Sequence, residues 1–235
     1  DLGLPEMTLE AAVNAGAKTL VVGVANRGGL ISKLWIDILV RALEAGFDIA
    51  SGLHSKLADV PDLHETAARH GCKLIDIRHS ERLFEVGNGK KRRGKRLLPV
   101  GTDCSVGKMY TALALEREML ARGMNATFRA TGQTGIFIAG EGISVDAVVA
   151  DFISGATEWL TPENEPDHWD IVEGQGSLFH ASYAGVSIGL IHGAQPDALV
   201  LCHEPTRSHM RGLLGQALPS ISDCIAANEM AAQLT

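Results

Sequence analysis

The stretch GTDCSVGK, residues 101–108, decides how the rest of the chain is read. A short apolar run, LLPV (97–100), precedes it, and MYTALALEREMLARG (109–123) follows with apolar residues at helical spacing. Strand, glycine loop and helix in that order suit phosphate binding. Successive backbone N–H groups turn inward, the helix N-terminus adds positive potential, and the lysine supplies a mobile cation. The usual spelling is G-x-x-x-x-G-K-[ST]. Here Gly101 and Gly107 enclose five residues instead of four, and Met109 stands where a magnesium-binding hydroxyl is expected. A thioether is a poor ligand for hard Mg²⁺, and Thr111, two residues on, projects from another side of the helix. Gly101, Thr102, Asp103, Cys104, Ser105, Val106, Gly107, Lys108 and Met109 therefore read as a cradle that grips a phosphorylated molecule instead of splitting it.

Outward from the loop, the α/β alternation continues in both directions. Downstream, ATFRATGQTG (126–135), DHWDIVEGQGSL (167–178) and PDALVLCHEPTR (196–207) each read as a strand running into a polar loop. Polar loops after strands are where open parallel sheets bind ligands. Upstream, TLVVGVA (19–25) is a buried strand, LWIDILVRALEAG (34–46) a helix stopped by glycine, and FDIASGLHSKL (47–57) a short strand with its loop. DLHETAARHG (62–71) is a short polar helix, and KLIDIRH (73–79) another strand. The expected fold is α/β. A Rossmann-like parallel-sheet domain (1–84) precedes a P-loop NTPase-like α/β domain (97–235). The basic stretch 85–96, with six Lys and Arg between Lys90 and Arg96, is read as a solvated linker.

Composition limits the function classes. A net charge of −7 argues against a general nucleic-acid binder. The four cysteines are widely separated, without a C-x-x-C pair, which argues against structural zinc or a disulfide framework and points to a reducing cytoplasm. No apolar run is long enough to span a membrane. The chain opens DLGLPEMTLE without an initiator methionine, so further segments are expected beyond one or both ends. A symmetric homo-oligomer is the expected assembly.

GTDCSVGK resembles the GTD-x-x-VGK loop of dethiobiotin synthetase and its relatives, and VEGQGSL resembles their strand-EG-x-G segment, in which the glutamate sits beside the phosphates. VGVANRGG, DIASGLH, PVGTDCSVGKM, ATGQTG, VEGQGSL and LCHEPTR, in this order, more closely resemble the D-glutamate N-acetyltransferase family over essentially the whole chain. That resemblance implies acetyl transfer from acetyl-CoA to the amino group of D-glutamate or a related D-amino acid, a small-molecule substrate. The phosphates of coenzyme A need an anion cradle without a hydrolytic metal, so no metal ligand set is expected. The competing reading is an ATP- and Mg²⁺-dependent ligase or kinase of the dethiobiotin synthetase kind, against which Met109 argues.

Acetyl transfer to an amine needs a base for the ammonium and donors for the thioester oxyanion. The base candidates are Glu173, His180, His203 and Asp103. Glu173 leads because its loop is expected beside the cradle. Asp103 has a second role open to it, orienting Lys108. For a substrate carboxylate, Arg207 is the first choice and Arg129 the second, since guanidinium forks suit carboxylates. Loop residues Thr131, Gln133 and Gln175 join the substrate-binding set, with N–H groups of 131–135 or 174–176 available to an oxyanion. Cys104 has an acyl-acceptor reading and a plain structural one. In the first domain, Asn26, Arg27, Gly28, Gly29, Ser51 and His54 end strands and suit either a second pocket or tight turns.

Overall fold

A computed structural model describes residues 3–24 and 31–233. The expected strand-end residues Asn26, Arg27, Gly28 and Gly29 lie outside the described residues. The chain divides into two units, Asp1–His79 and Ser80–Thr235.

The first unit contains α1 (Leu9–Asn14), β1 (Thr19–Val22), α2 (Lys33–Glu44), β2 (Asp48–Ser51), α3 (Pro61–His70) and β3 (Leu74–Asp76). Its sheet is parallel, in the order β1-β2-β3, with Leu20 opposite Ile49 and Ile49 opposite Leu74. Ser32 caps α2 by accepting the Trp35 N–H, and Leu39, Ala42 and Leu43 form its buried stripe. Pro61 starts α3, and Gly71 stops it at φ 65°, a left-handed conformation that glycine adopts without strain. The two helical stripes close a core with Phe47, Ile49, Leu57, Leu63 and Ala67. Ser51 is buried and its hydroxyl accepts the Leu53 N–H, a turn-forming role.

The second unit contains β4 (Lys95–Gly101), α4 (Lys108–Ala121), β5 (Ala126–Arg129), α5 (Gln133–Ala139), α6 (Ile153–Leu160), β6 (Trp169–Val172), α7 (Ala184–Ala194), β7 (Ala198–Cys202) and α8 (Ile221–Gln233). The sheet is parallel throughout, in the order β5-β6-β4-β7. β4 lies between β6 and β7, so its glycine loop emerges between the segments that follow those two strands. The β4–β6 ladder ends at Leu97, two residues short of Pro99, which has no N–H to donate. The β4–β7 ladder continues to Gly101 opposite Cys202. Leu98, Val145, Ile153, Ala156, Val172, Leu190 and Ile191 form the core under the sheet.

The basic stretch is bonded into this second unit. Arg92 donates through Nε to the Thr161 carbonyl (2.8 Å) and through Nη2 to that of Gly193 (2.6 Å). The Arg96 side chain is fully buried and sits 3.5 Å from Asp197. Glu158 of α6 accepts the N–H groups of Asn88 and Gly89. A guanidinium is a many-donor group able to satisfy the last carbonyls of helices, so these arginines knit α6 and α7 to β4. Among the described residues, no helix is long and apolar enough to cross a membrane.

Candidate active site: a phosphate cradle and a buried glutamate

The loop after β4 is unusually open in its amides. Among the described residues, the N–H groups of 105–110 donate to nothing in the protein. Ser105 has φ 52° and Gly107 φ 96°, and such left-handed residues curl successive amides into a concave nest. Lys108 is 5% exposed, and its ammonium donates to the Asp103 carbonyl at 2.9 Å. Burial holds its pKa below the usual lysine value, so a phosphate arriving there would find a poorly solvated cation. Gly101 lacks the Cβ that would strike Val106 and crowd the Lys108 ammonium. Met109 is half-buried. The Thr111 hydroxyl accepts the Cys202 thiol at 3.4 Å, and Met109 has no hydroxyl to offer a magnesium ion.

Asp103 is fully buried and saturated. It accepts the Arg207 Nη1 (2.6 Å), the Arg211 N–H (2.8 Å) and the Cys104 N–H (2.7 Å). Burial raises its pKa, but these hydrogen bonds, with that of the Cys104 thiol, outweigh burial and hold the carboxyl below the ordinary value. A carboxylate so engaged is a structural hub and a poor proton acceptor. Arg207, expected to meet a substrate carboxylate, instead grips the loop, donating also to the carbonyls of Cys104 (2.8 Å) and Ser105 (3.1 Å). Burial and Asp103 push the Cys104 thiol upward, which keeps it protonated and argues against an acyl-acceptor role.

His180 is 1% exposed, with its Nδ1 accepting the Ser182 N–H (3.2 Å) and its Nε2 against the Arg211 carbonyl (3.1 Å). Those partners place a ring proton on Nε2. It stacks on Tyr183 at 4.6 Å and serves to brace the loop around it. Ligand atoms of Asp103, Cys104 and His180 lie within 4.8 Å of one another, yet the donors aimed at that carboxylate already neutralise it. His203 is exposed, with Nδ1 3.0 Å from the Thr102 hydroxyl.

Glu173 follows β6 and is 4% exposed. Its Oε2 accepts the N–H groups of Thr131 (2.9 Å) and Gly132 (3.0 Å), while Oε1 accepts none among the described residues. Burial raises its pKa to about 6, against the opposing pull of those two amides and with a further push from Asp146. Gly132 and Gly135 make the room, since a Cβ on Gly135 would overlap the carboxylate. The Thr131 hydroxyl donates to the Glu173 carbonyl (2.6 Å) and accepts from Gln175 (3.2 Å), so Glu173, Thr131 and Gln175 form one cluster. The next residue, Gly174, lies against the Lys108 side chain, where any Cβ would sit 3.0 Å from its Cδ. The amides of 131 and 132 are thus spent on Glu173, whereas those of 174–176 have no partner among the described residues. Arg129 stands outside both clusters, paired with Asp170 at 2.7 Å. Gln133 begins α5 and is half-buried.

Residues 85–235 match DUF1611, described as "Domain of unknown function (DUF1611_C) P-loop domain", and residues 1–80 match DUF1611_N, a Rossmann-like domain. The chain belongs to the DUF1611 family. A crystal structure of a DUF1611 family protein from Anabaena variabilis superposes with a TM-score of 0.89 at 35% identity, covering 96% of this chain and 66% of that one. Two curated relatives are named D-glutamate N-acetyltransferase. One, from Tritonibacter scottomollicae, is 63% identical over 95% of this chain and 67% of its own length. The other, from a Pseudoalteromonas species, is 54% identical over 99% of this chain and 70% of its own length. The chain therefore spans about two thirds of the length of each relative. In this DUF1611 chain the cradle belongs to the P-loop domain, and the glutamate cluster is reached through Gly174.

Proposed function

We propose that this chain transfers an acetyl group from acetyl-CoA to the amino group of D-glutamate or a related D-amino acid. The observation that carries the reading is the row of unpartnered amides at 105–110 closed by Lys108, on a chain whose curated relatives bear that activity as their name. The cradle holds the phosphates of coenzyme A, which require anion donors and no hydrolytic metal. Met109, which has no hydroxyl for Mg²⁺, agrees with that use.

Glu173 is the general base. Its raised pKa leaves it mostly ionised at neutral pH yet basic enough to take a proton, and Oε2 is fixed while Oε1 accepts nothing among the described residues. Glu173 removes the ammonium proton, and the freed amine attacks the thioester carbonyl. The C–S bond then breaks, the acylated nitrogen gives up its second proton, and the departing thiolate of coenzyme A takes that proton up. The free N–H groups of 174–176 are the donors nearest in sequence for the oxyanion, since those of 131 and 132 are committed to Glu173.

The test is a panel of D- and L-amino acids incubated with acetyl-CoA, with thiol release followed by colour, run for the wild type and for Lys108→Ala. Thiol release with D-glutamate that resists EDTA is expected. The variant should weaken acetyl-CoA binding by about 30- to 100-fold, the scale of a lost charge-assisted phosphate contact. Unchanged affinity and turnover in Lys108→Ala, or turnover of no amino acid by the wild type, would refute the assignment.

A further inference from the structure

We infer that Arg207 is a positioning residue that sets the anion cradle from its outer side, with Asp103 as its anchor. This rests on the reading of the loop as a phosphate cradle. In a trans peptide the carbonyl and the following N–H point in opposite directions. Arg207 holds the carbonyls of Cys104 and Ser105 with Nη1 and Nη2 at 2.8 and 3.1 Å. That grip turns the N–H groups of Ser105 and Val106 to the opposite edge, where they have no partner among the described residues. Ser105 sits at φ 52°, a conformation non-glycine residues avoid unless something holds them in it. Arg207 is that hold, and its planar fork is what reaches two neighbouring carbonyls at once.

Asp103 fixes where the fork stands. Its Oδ2 accepts both the Arg207 Nη1 at 2.6 Å and the Arg211 N–H at 2.8 Å, so one buried carboxylate binds the segment after β7 to the loop after β4. Lys108 completes the frame by donating to the carbonyl of the same aspartate. The loop's shape is thereby determined by the segment after β7, three strands later in chain order and beside β4 in the sheet, and not by its own glycines alone. The competing role for Arg207 is that of a simple positive charge attracting phosphate. The two differ in what lysine does at this position, because lysine keeps the charge and loses the fork.

Calorimetric titrations of the full chain with acetyl-CoA and with inorganic pyrophosphate separate them, with melting temperatures confirming that each variant is folded. Arg207→Lys and Arg207→Gln should both weaken both probes by about 10- to 100-fold, the scale of losing hydrogen bonds to a charged group. Asp103→Ala should weaken binding by a similar factor. The double variant Asp103→Ala/Arg207→Gln should bind no worse than either single one, as expected of residues acting through one another. In turnover, Arg207→Lys should raise KM while kcat stays near wild type. Wild-type affinity in Arg207→Lys would overturn the inference in favour of plain charge attraction, and wild-type affinity in Arg207→Gln would remove Arg207 from binding altogether. Should the wild type bind pyrophosphate but not acetyl-CoA, the donor assignment falls and the pyrophosphate arm still decides Arg207. Binding of neither probe overturns both.

Discussion

At the scale of single residues, Glu173 makes two opposite demands on the protein. Its carboxyl titrates at about 6, where an ordinary glutamate titrates near 4.5, because burial disfavours the charge. The folded chain therefore keeps a proton between those values that the unfolded chain releases. The contribution of Glu173 to stability is highest below the unfolded value, falls as pH rises to about 6, and stays reduced above it; the gap corresponds to ~2 kcal/mol. Glu173→Gln leaves an oxygen to accept the Thr131 and Gly132 amides and removes the buried charge. The variant should resist urea better than wild type at pH 7.5, by up to ~2 kcal/mol, with the gain vanishing near pH 4. Its kcat/KM should fall by about 10²- to 10⁴-fold and lose the acid limb near pH 6 that the wild type shows. A variant that is both active and unchanged in its pH profile would exclude Glu173 as the base. The place of Glu173 is legible in the sequence, as an acid between a strand and Gly-Gln-Gly. The commitment of Arg207 to the loop is not, because it depends on carbonyls and on the Arg211 amide, and backbone partners leave no mark on residue type.

At the scale of elements, the strands and α2, α3 and α4 were readable because each apolar run ends in a polar or glycine turn. The stretch 136–166 and the helices α6, α7 and α8 carried no such signal. α7 reads AGVSIGLIHGA, apolar nearly all round, so no 3.6-residue period stands out. Its glycines record packing: a Cβ on Gly189 would press on Ile153 at 2.6 Å, and one on Gly193 would meet Ser154 and Thr157 of α6. The end of β6 uses the same device at the site. Gly174 passes so close to β4 that a Cβ would overlap the Pro99 carbonyl and crowd Lys108. Gly174→Ala must push that segment away from the loop, and overpacking of this kind costs ~1–3 kcal/mol. Urea denaturation should register that loss. Acetyl-CoA affinity should drop in the same variant, since Lys108 is displaced with the strand end. A variant with wild-type stability and affinity would mean that the two strand ends are not in this contact.

At the scale of the whole molecule, the chain carries a net charge of −7, and yet the proposed ligand is a polyanion. Binding must then come from local cations and aligned amides acting against the overall field, and all of those named above lie in the second unit. That unit has its own parallel sheet, its own apolar core and a division from the first unit at His79. Even the basic stretch that reads as a linker is bonded within it, through Arg92 and Arg96. Composition alone could not reveal this, because a run of lysine and arginine looks the same whether solvated or buried against helix ends. A fragment of residues 80–235 should therefore unfold cooperatively on heating and bind acetyl-CoA with an affinity close to that of the full chain. Circular dichroism melting and calorimetry on the fragment test both statements. A folded fragment without acetyl-CoA binding would assign essential contacts to residues 1–79, and a fragment without a cooperative transition would show that the second unit's core does not stand by itself.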